Sequence, residues 1–220
     1  MQPKLSDTAE SSDAESGMVV ERRFTSSGKD PFDSFDWIEM DAEIRNPDGS
    51  MADTILGVKL PSGYAGVPGK VLAQKYLRKA GVPTHLRKVP EEGVPVWLQR
   101  SEPDTEKLDL LESDERFGGE TDGRELFRRL AGTWTYWGWK HGYFASEADA
   151  RSYFDEMCYI VASQRSAPNS PQWFNTGLHW AYGIEGPAQG HTYIDPVTGK
   201  LEYSTNAYEH PQPHACFIQS

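Results

Sequence analysis

At 220 residues the chain can form one large domain or two small ones, but a hydrophobic share of 37% and a mean hydropathy of -0.65 require its apolar material to be concentrated, and most of it follows residue 122. Lys and Arg number 22 against 33 Asp and Glu, and the resulting net charge of -11 argues against a nucleic-acid binder or a protein drawn to anionic membranes. Two cysteines cannot build a disulfide framework, and with no signal-peptide pattern or long apolar span the expected compartment is a reducing cytoplasm.

Residues 1–17 carry Ser, Asp, Glu, Gln and Lys with little to bury, so ordering them would cost entropy without return and a disordered tail is expected. Phe32, Phe35, Trp37 and Ile38 then cluster. Ala42–Arg45 alternates before the turn sequence Asn46-Pro47-Asp48-Gly49, and Thr54–Val58 reads as the return strand of a hairpin. In residues 69–80, Val71, Leu72, Lys75, Tyr76 and Lys79 fall at helical spacing, and Gly81 suits a left-handed cap. Val82 to Gly119 is rich in Pro, Glu and Gly and has no sustained period. It reads as an extended arm or surface insertion that wraps a partner or another part of the chain.

Two amphipathic helices follow. Asp122 can cap the first, whose stripe is Leu126, Phe127, Leu130, Trp134, Trp137 and His141. Ser146 and an acidic first turn open the second, with Phe154, Met157, Cys158 and Val161 on one face, and the Ala167-Pro168 step stops it. The two are expected to pair antiparallel. Beyond them, Tyr193-Ile-Asp195-Pro-Val-Thr-Gly199-Lys-Leu-Glu-Tyr203 reads as a second hairpin. Phe217-Ile218 begins what reads as a buried strand, and the chain stops there without a turn or polar tail, as an interrupted protein would.

Chemistry has few candidates. Cys158, in a helix seam, is expected to be a small buried hydrophobe. Cys216 sits between the non-helical Pro211-Gln-Pro-His-Ala run and a strand, where a sulfur is either filler or a presented thiol, and the spacing leaves both open. His210, His214 and Cys216 are also zinc-ligand types, but no second pair has finger-like spacing, and no metal is expected. Ser170, before Pro171 and the aromatic Trp173-Phe174, could hold a phosphate oxygen or simply connect a helix to a strand.

Three stretches, Asn169-Ser-Pro-Gln-Trp-Phe-Asn-Thr-Gly177, Gly186-Pro-Ala-Gln-Gly190 and Pro211-Gln-Pro-His-Ala-Cys-Phe-Ile-Gln-Ser220, together resemble the amino-terminal part of the adenosylcobalamin-dependent (class II) ribonucleotide reductases. Trp137-Gly-Trp-Lys-His-Gly-Tyr-Phe144 fits the same family. The resemblance implies an α/β fold in which a helical amino-terminal region leads into the first strand of a ten-stranded α/β barrel. The chain then divides into a tail at 1–17, a hairpin with an extended acidic arm at 18–121, and the family's helical region and barrel start at 122–220. It implies that Cys216 is one member of the redox dithiol and that Ser170, Ala215 and Cys216 contact a ribonucleotide substrate, expected as the diphosphate. It further implies adenosylcobalamin held mainly by a downstream remainder of the enzyme, a thioredoxin-like reductant, and a homodimer once complete. The radical cysteine and second redox cysteine would lie downstream, so the 220-residue chain by itself is expected to lack reductase activity. The rival readings are a protein-interaction module built on the acidic arm and Trp-rich helices, and a small zinc protein.

Overall fold

Strand β1 (Trp37–Arg45) and strand β2 (Met51–Pro61) pair antiparallel as the expected hairpin. In this computed structural model, residues 17–45, 48, 50–195 and 197–211 are described. The expected tail, Gly17 apart, the centre of the first turn, and Ala215, Cys216 and the strand expected at Phe217 lie outside them. The register slips by one residue between Met40 and Ala42, where Gly57 takes a left-handed φ of 65° and its N–H donates to Asp41 Oδ1 at 3.0 Å. Such a glycine bulge keeps Ala42, Val58 and Leu60 on the buried face while Leu56 turns outward.

Helix α1 (Val67–Lys75) departs from the expected 69–80. It begins earlier because Pro68 occupies the first turn, where a missing N–H is harmless, and it ends earlier because its last carbonyl and amide groups are taken by side chains described below. Gly81 is left-handed, φ 79°, but turns the chain into a strand rather than capping the helix.

The aperiodic region from 82 to 119 is tied into pairs of short strands: β3 (Val82–Pro83) with β6 (Phe117–Gly118), and β4 (Leu86–Lys88) with β5 (Ser101–Pro103). A single-turn helix α2 (Thr105–Leu108), capped by Asp104, fills the space between β5 and β6. Leu98 and Leu108 are buried, and the Leu98 carbonyl accepts from Trp180 Nε1 at 2.9 Å, so the arm wraps another part of the same chain.

Helix α3 (Gly123–Lys140) opens with a full capping box, Asp122 accepting from the Arg124 N–H and Glu125 reaching back to the Asp122 N–H at 3.1 Å. Helix α4 (Glu147–Ala162) is capped by Ser146, whose hydroxyl accepts from the Asp149 N–H. The two pack antiparallel through Leu126, Phe127, Leu130, Cys158 and Val161, joined in one core by Val58, Leu60 and Leu72 from the hairpin and α1. The far end of the α3 stripe is more open: Trp134 and Trp137 are half-buried and His141 is exposed. A segment from Met18 to Thr25 runs alongside α4 in the same direction, its backbone N–H groups at Val20, Phe24 and Thr25 donating to Asp149 and Glu156.

Helices α5 (Ser170–Asn175) and α6 (Leu178–Tyr182) follow α4, so Ser170-Pro171 joins helix to helix and not helix to strand. Strands β7 (Thr192–Ile194) and β8 (Leu201–Tyr203) form the expected second hairpin. The described residues thus form a mixed α/β fold with four two-stranded sheets and no closed barrel among them. No described helix is long and apolar enough to cross a membrane.

Candidate functional site

The first residue of α5 is Ser170. Asn169 before it is extended, and Pro171 fits the first turn because proline's lost donor would be unpaired there in any case. The Ser170 hydroxyl is exposed and lies 2.9 Å from the Tyr76 hydroxyl, which comes from the residue just past α1. The Tyr76 ring is stacked on Trp173, with centroids 5.4 Å apart and planes 25° apart, and Phe174 lies 5.3 Å away on a tilted plane. Trp173 is itself buried, donates from Nε1 to the Pro168 carbonyl, and meets Phe127 of α3 edge-on. Beside Ser170, the buried Asn169 Oδ1 has no hydrogen-bond partner among the described residues.

Beneath this surface lies a buried polar cluster. Arg129 of α3 and Glu120 form an ion pair with both side chains fully buried: Nε donates to Oε1 at 2.7 Å and Nη2 to Oε2 at 3.2 Å. The guanidinium also donates to the carbonyls of Thr176 at 2.7 Å, Trp173 at 2.9 Å and Tyr76 at 3.3 Å. Glu120 in turn accepts from the Arg78 N–H and the Tyr182 hydroxyl, each at 2.7 Å. Burial, and then the Glu120 charge, push the Tyr182 phenol far above its ordinary range, so it stays a hydrogen-bond donor.

This cluster explains why α1 stops at Lys75: the Tyr76 carbonyl and Arg78 N–H that a longer helix would use are held by Arg129 and Glu120. It also fixes the end of α5, because Trp173 and Thr176 contribute carbonyls. The chain then reverses at Gly177, left-handed at φ 87°, pressed so close to α3 that a Cβ there would sit 2.4 Å from the Arg129 carbonyl oxygen.

A separate groove of about 1050 Å³ lies between the far end of α3, the arm and the β7–β8 hairpin. Trp137, Lys140, His179, Tyr193 and His210 are among its walls, and Ser170 is not. His210, one of the zinc candidates, is stacked on Tyr193 at 3.8 Å, and burial pushes its imidazole below the ordinary value. No group of three or more His, Cys, Asp or Glu side chains among the described residues is arranged to hold a metal ion. Pro211, also on the groove wall, is the last described residue before the segment carrying Ala215 and Cys216. Cys158 is fully buried, as expected of a core filler, and desolvation raises its thiol well above the usual value.

Of the sequence-expected site residues, therefore, Ser170 is placed at an exposed turn, and Ala215 and Cys216 lie outside the described residues. Tyr76, Glu120, Arg129 and Tyr182 escaped the sequence reading. One signal for them was available: Arg129 stands at i+3 from Leu126 and one residue before Leu130, a charge inside an apolar stripe.

Comparison with known proteins places the chain in a family. The family model described as class II vitamin B12-dependent ribonucleotide reductase matches residues 39–164. A protein of Bradyrhizobium diazoefficiens named vitamin B12-dependent ribonucleotide reductase is 57% identical over 202 residues, covering 92% of this chain and 16% of the relative. Proteins of the same name are 57% identical over 203 residues in Agrobacterium fabrum (92% of this chain, 16% of the relative) and 27% identical over 205 residues in Rhodopirellula baltica (93% and 16%). The chain spans about 16% of the length of these curated relatives. With the family model matching more than half of its residues, the chain belongs to the class II vitamin B12-dependent ribonucleotide reductases.

Proposed function

We propose that the chain is the amino-terminal part of a vitamin B12-dependent ribonucleotide reductase that converts ribonucleoside diphosphates to deoxyribonucleotides for DNA synthesis. The observation that carries this reading is the 57% identity over 202 residues to a protein bearing that name. Ser170, Ala215 and Cys216 contact the nucleotide, and Cys216 is one thiol of the pair that supplies two electrons and becomes a disulfide. A thioredoxin-like dithiol protein restores the pair by exchange. The strand beginning at Phe217 is the first of a ten-stranded barrel completed downstream, the complete enzyme is a homodimer, and it works in the cytoplasm.

When bound, adenosylcobalamin would supply the radical chemistry that the reaction needs. The described residues offer no accessible thiol for that chemistry: their only cysteine, Cys158, is walled into the core, where burial raises its thiol well above the usual value. Adenosylcobalamin accordingly belongs to the remainder of the enzyme, and the part played by these residues is to hold the substrate. Ser170 suits that task, since its hydroxyl is exposed on a turn whose backbone is anchored by a buried ion pair.

The test is Cys216→Ser in the full-length enzyme carrying this segment. Turnover with a dithiol should collapse by orders of magnitude while nucleotide binding survives. Retained multiple turnover removes Cys216 from the reaction.

A further inference from the structure

Resting on the reading of Ser170 as a substrate-contacting residue, we infer that Tyr76 is its positioning partner, holding the serine hydroxyl so that its one proton is offered to a phosphate oxygen of the nucleotide. The two hydroxyl oxygens are 2.9 Å apart and exposed, and they share two protons between them. A phenol is the better donor and the poorer acceptor of the pair, so the Tyr76 O–H donates to Ser170 Oγ and the serine proton is left to point away from the protein. A serine alone spreads its proton over three rotor positions, whereas one that already accepts a hydrogen bond offers its proton in a restricted arc, which suits a fixed anionic oxygen.

The geometry is over-determined for a chance surface contact. One guanidinium, Arg129, donates to the backbone carbonyls of both Tyr76 and Trp173, and so locks the residue bearing one hydroxyl to the helix bearing the other. The Tyr76 ring is further fixed by its stack on Trp173 and its contact with Phe174. Phenylalanine would satisfy those ring contacts equally well. The hydroxyl is thus the part of Tyr76 that packing does not require, and among the described residues its hydrogen-bond partner is Ser170. An exposed hydroxyl pair contributes little to stability, so its removal leaves the fold intact.

The experiment is a double-mutant cycle in the full-length enzyme carrying this segment, with Tyr76→Phe, Ser170→Ala and the double variant. Three quantities are read: the equilibrium Kd for a nucleoside diphosphate, the split between KM and kcat, and the melting temperature. Tyr76→Phe is expected to weaken nucleotide binding and raise KM about fivefold to tenfold, with kcat and melting temperature unchanged. Ser170→Ala should do at least as much, and the double variant no more than Ser170→Ala, because Tyr76 acts only through the serine. If Ser170→Ala weakens binding while Tyr76→Phe is silent, the inference falls and the reading of Ser170 stands. If the two effects multiply in the double variant, Tyr76 touches the nucleotide independently and the positioning role is overturned. A silent Ser170→Ala overturns the substrate-contact reading itself, and the inference with it. A lowered melting temperature in Tyr76→Phe with unchanged binding would make the hydroxyl structural, which also overturns the inference.

Discussion

Helix α3 serves two regions that are held together by opposite means. Toward α4 it presents Leu126, Phe127 and Leu130, which join Cys158 and Val161 in one apolar cluster. Toward α5 and α6 it presents Arg129, and the seam there is an ion pair whose guanidinium reaches three backbone carbonyls and whose carboxylate takes a backbone N–H and a phenol. The first seam spreads its energy over many small contacts and tolerates loss of any one. The second depends on every partner at once, because a buried charge left without its counterpart costs more than the pair ever contributed. The turn carrying Ser170 therefore rests on the less forgiving of the two.

The sharpest way to break the contrast is Arg129→Met. Methionine fills much of the volume but strands the Glu120 carboxylate in a buried site with only Tyr182 and the Arg78 N–H to satisfy it, and the expected loss is about 3–5 kcal/mol in urea denaturation. Adding Glu120→Gln should recover part of that loss by removing the charge. Arg129→Lys should rescue little, since a single ammonium cannot serve a bidentate carboxylate and three carbonyls together. A loss below about 1 kcal/mol for Arg129→Met would mean that the cluster is hydrated, and the contrast would disappear.

On the apolar side the matching change is Cys158→Ala, which removes one fully buried sulfur from the α3–α4 seam. The expected cost is about 1 kcal/mol, close to that of one buried methylene, with no change in denaturant slope. A cost comparable to that of Arg129→Met would show that the seam depends on this thiol as heavily as the polar side depends on its ion pair.

The same contrast decides what could be read from the sequence. The helix pair was legible because a 3.6-residue stripe and its caps, Asp122 and Ser146, are local patterns. The β1–β2 hairpin was legible from its turn and alternation. The early end of α1 was not, because the groups that unwind it, Glu120 and Arg129, lie more than forty residues further on and carry no periodic signature. The short strands within the arm from 82 to 119 were illegible in the same way: strands of two or three residues are too short for any alternation to register, and pairing decides them. Ser170 could be named from resemblance, but its neighbour Tyr76 reads as one more apolar position on a helix until the fold brings the two hydroxyls together.

The smallest effect expected is local and depends on pH. The segment from Met18 to Thr25 is fastened to α4 mainly through carboxylates: Glu156 accepts from the Phe24 and Thr25 N–H groups and the Thr25 hydroxyl, Asp149 accepts from the Val20 N–H, and Arg22 pairs with Asp155 at 2.7 Å. For Glu156 burial works to raise the carboxyl, but the hydrogen bonds from Thr25 and from the backbone outweigh it and hold the group below its ordinary value. Asp149 is lowered chiefly by the Ser146 hydroxyl and then by the Val20 N–H. Both folded values lie below those of the unfolded chain, so the fastening is fully present above the ordinary carboxylate range of about 4 and is lost as pH falls through the lowered values. Amide hydrogen exchange read as protection factors at Val20, Phe24 and Thr25 should decline in acid before the amides of α3 do, since this segment opens without unfolding the core. Glu156→Ala should abolish the difference for Phe24 and Thr25 already at neutral pH and leave Val20 protected. Simultaneous loss at all three positions together with α3 would place the segment in the same cooperative unit as the apolar seam, and the strap would then be part of the core rather than a layer fastened upon it.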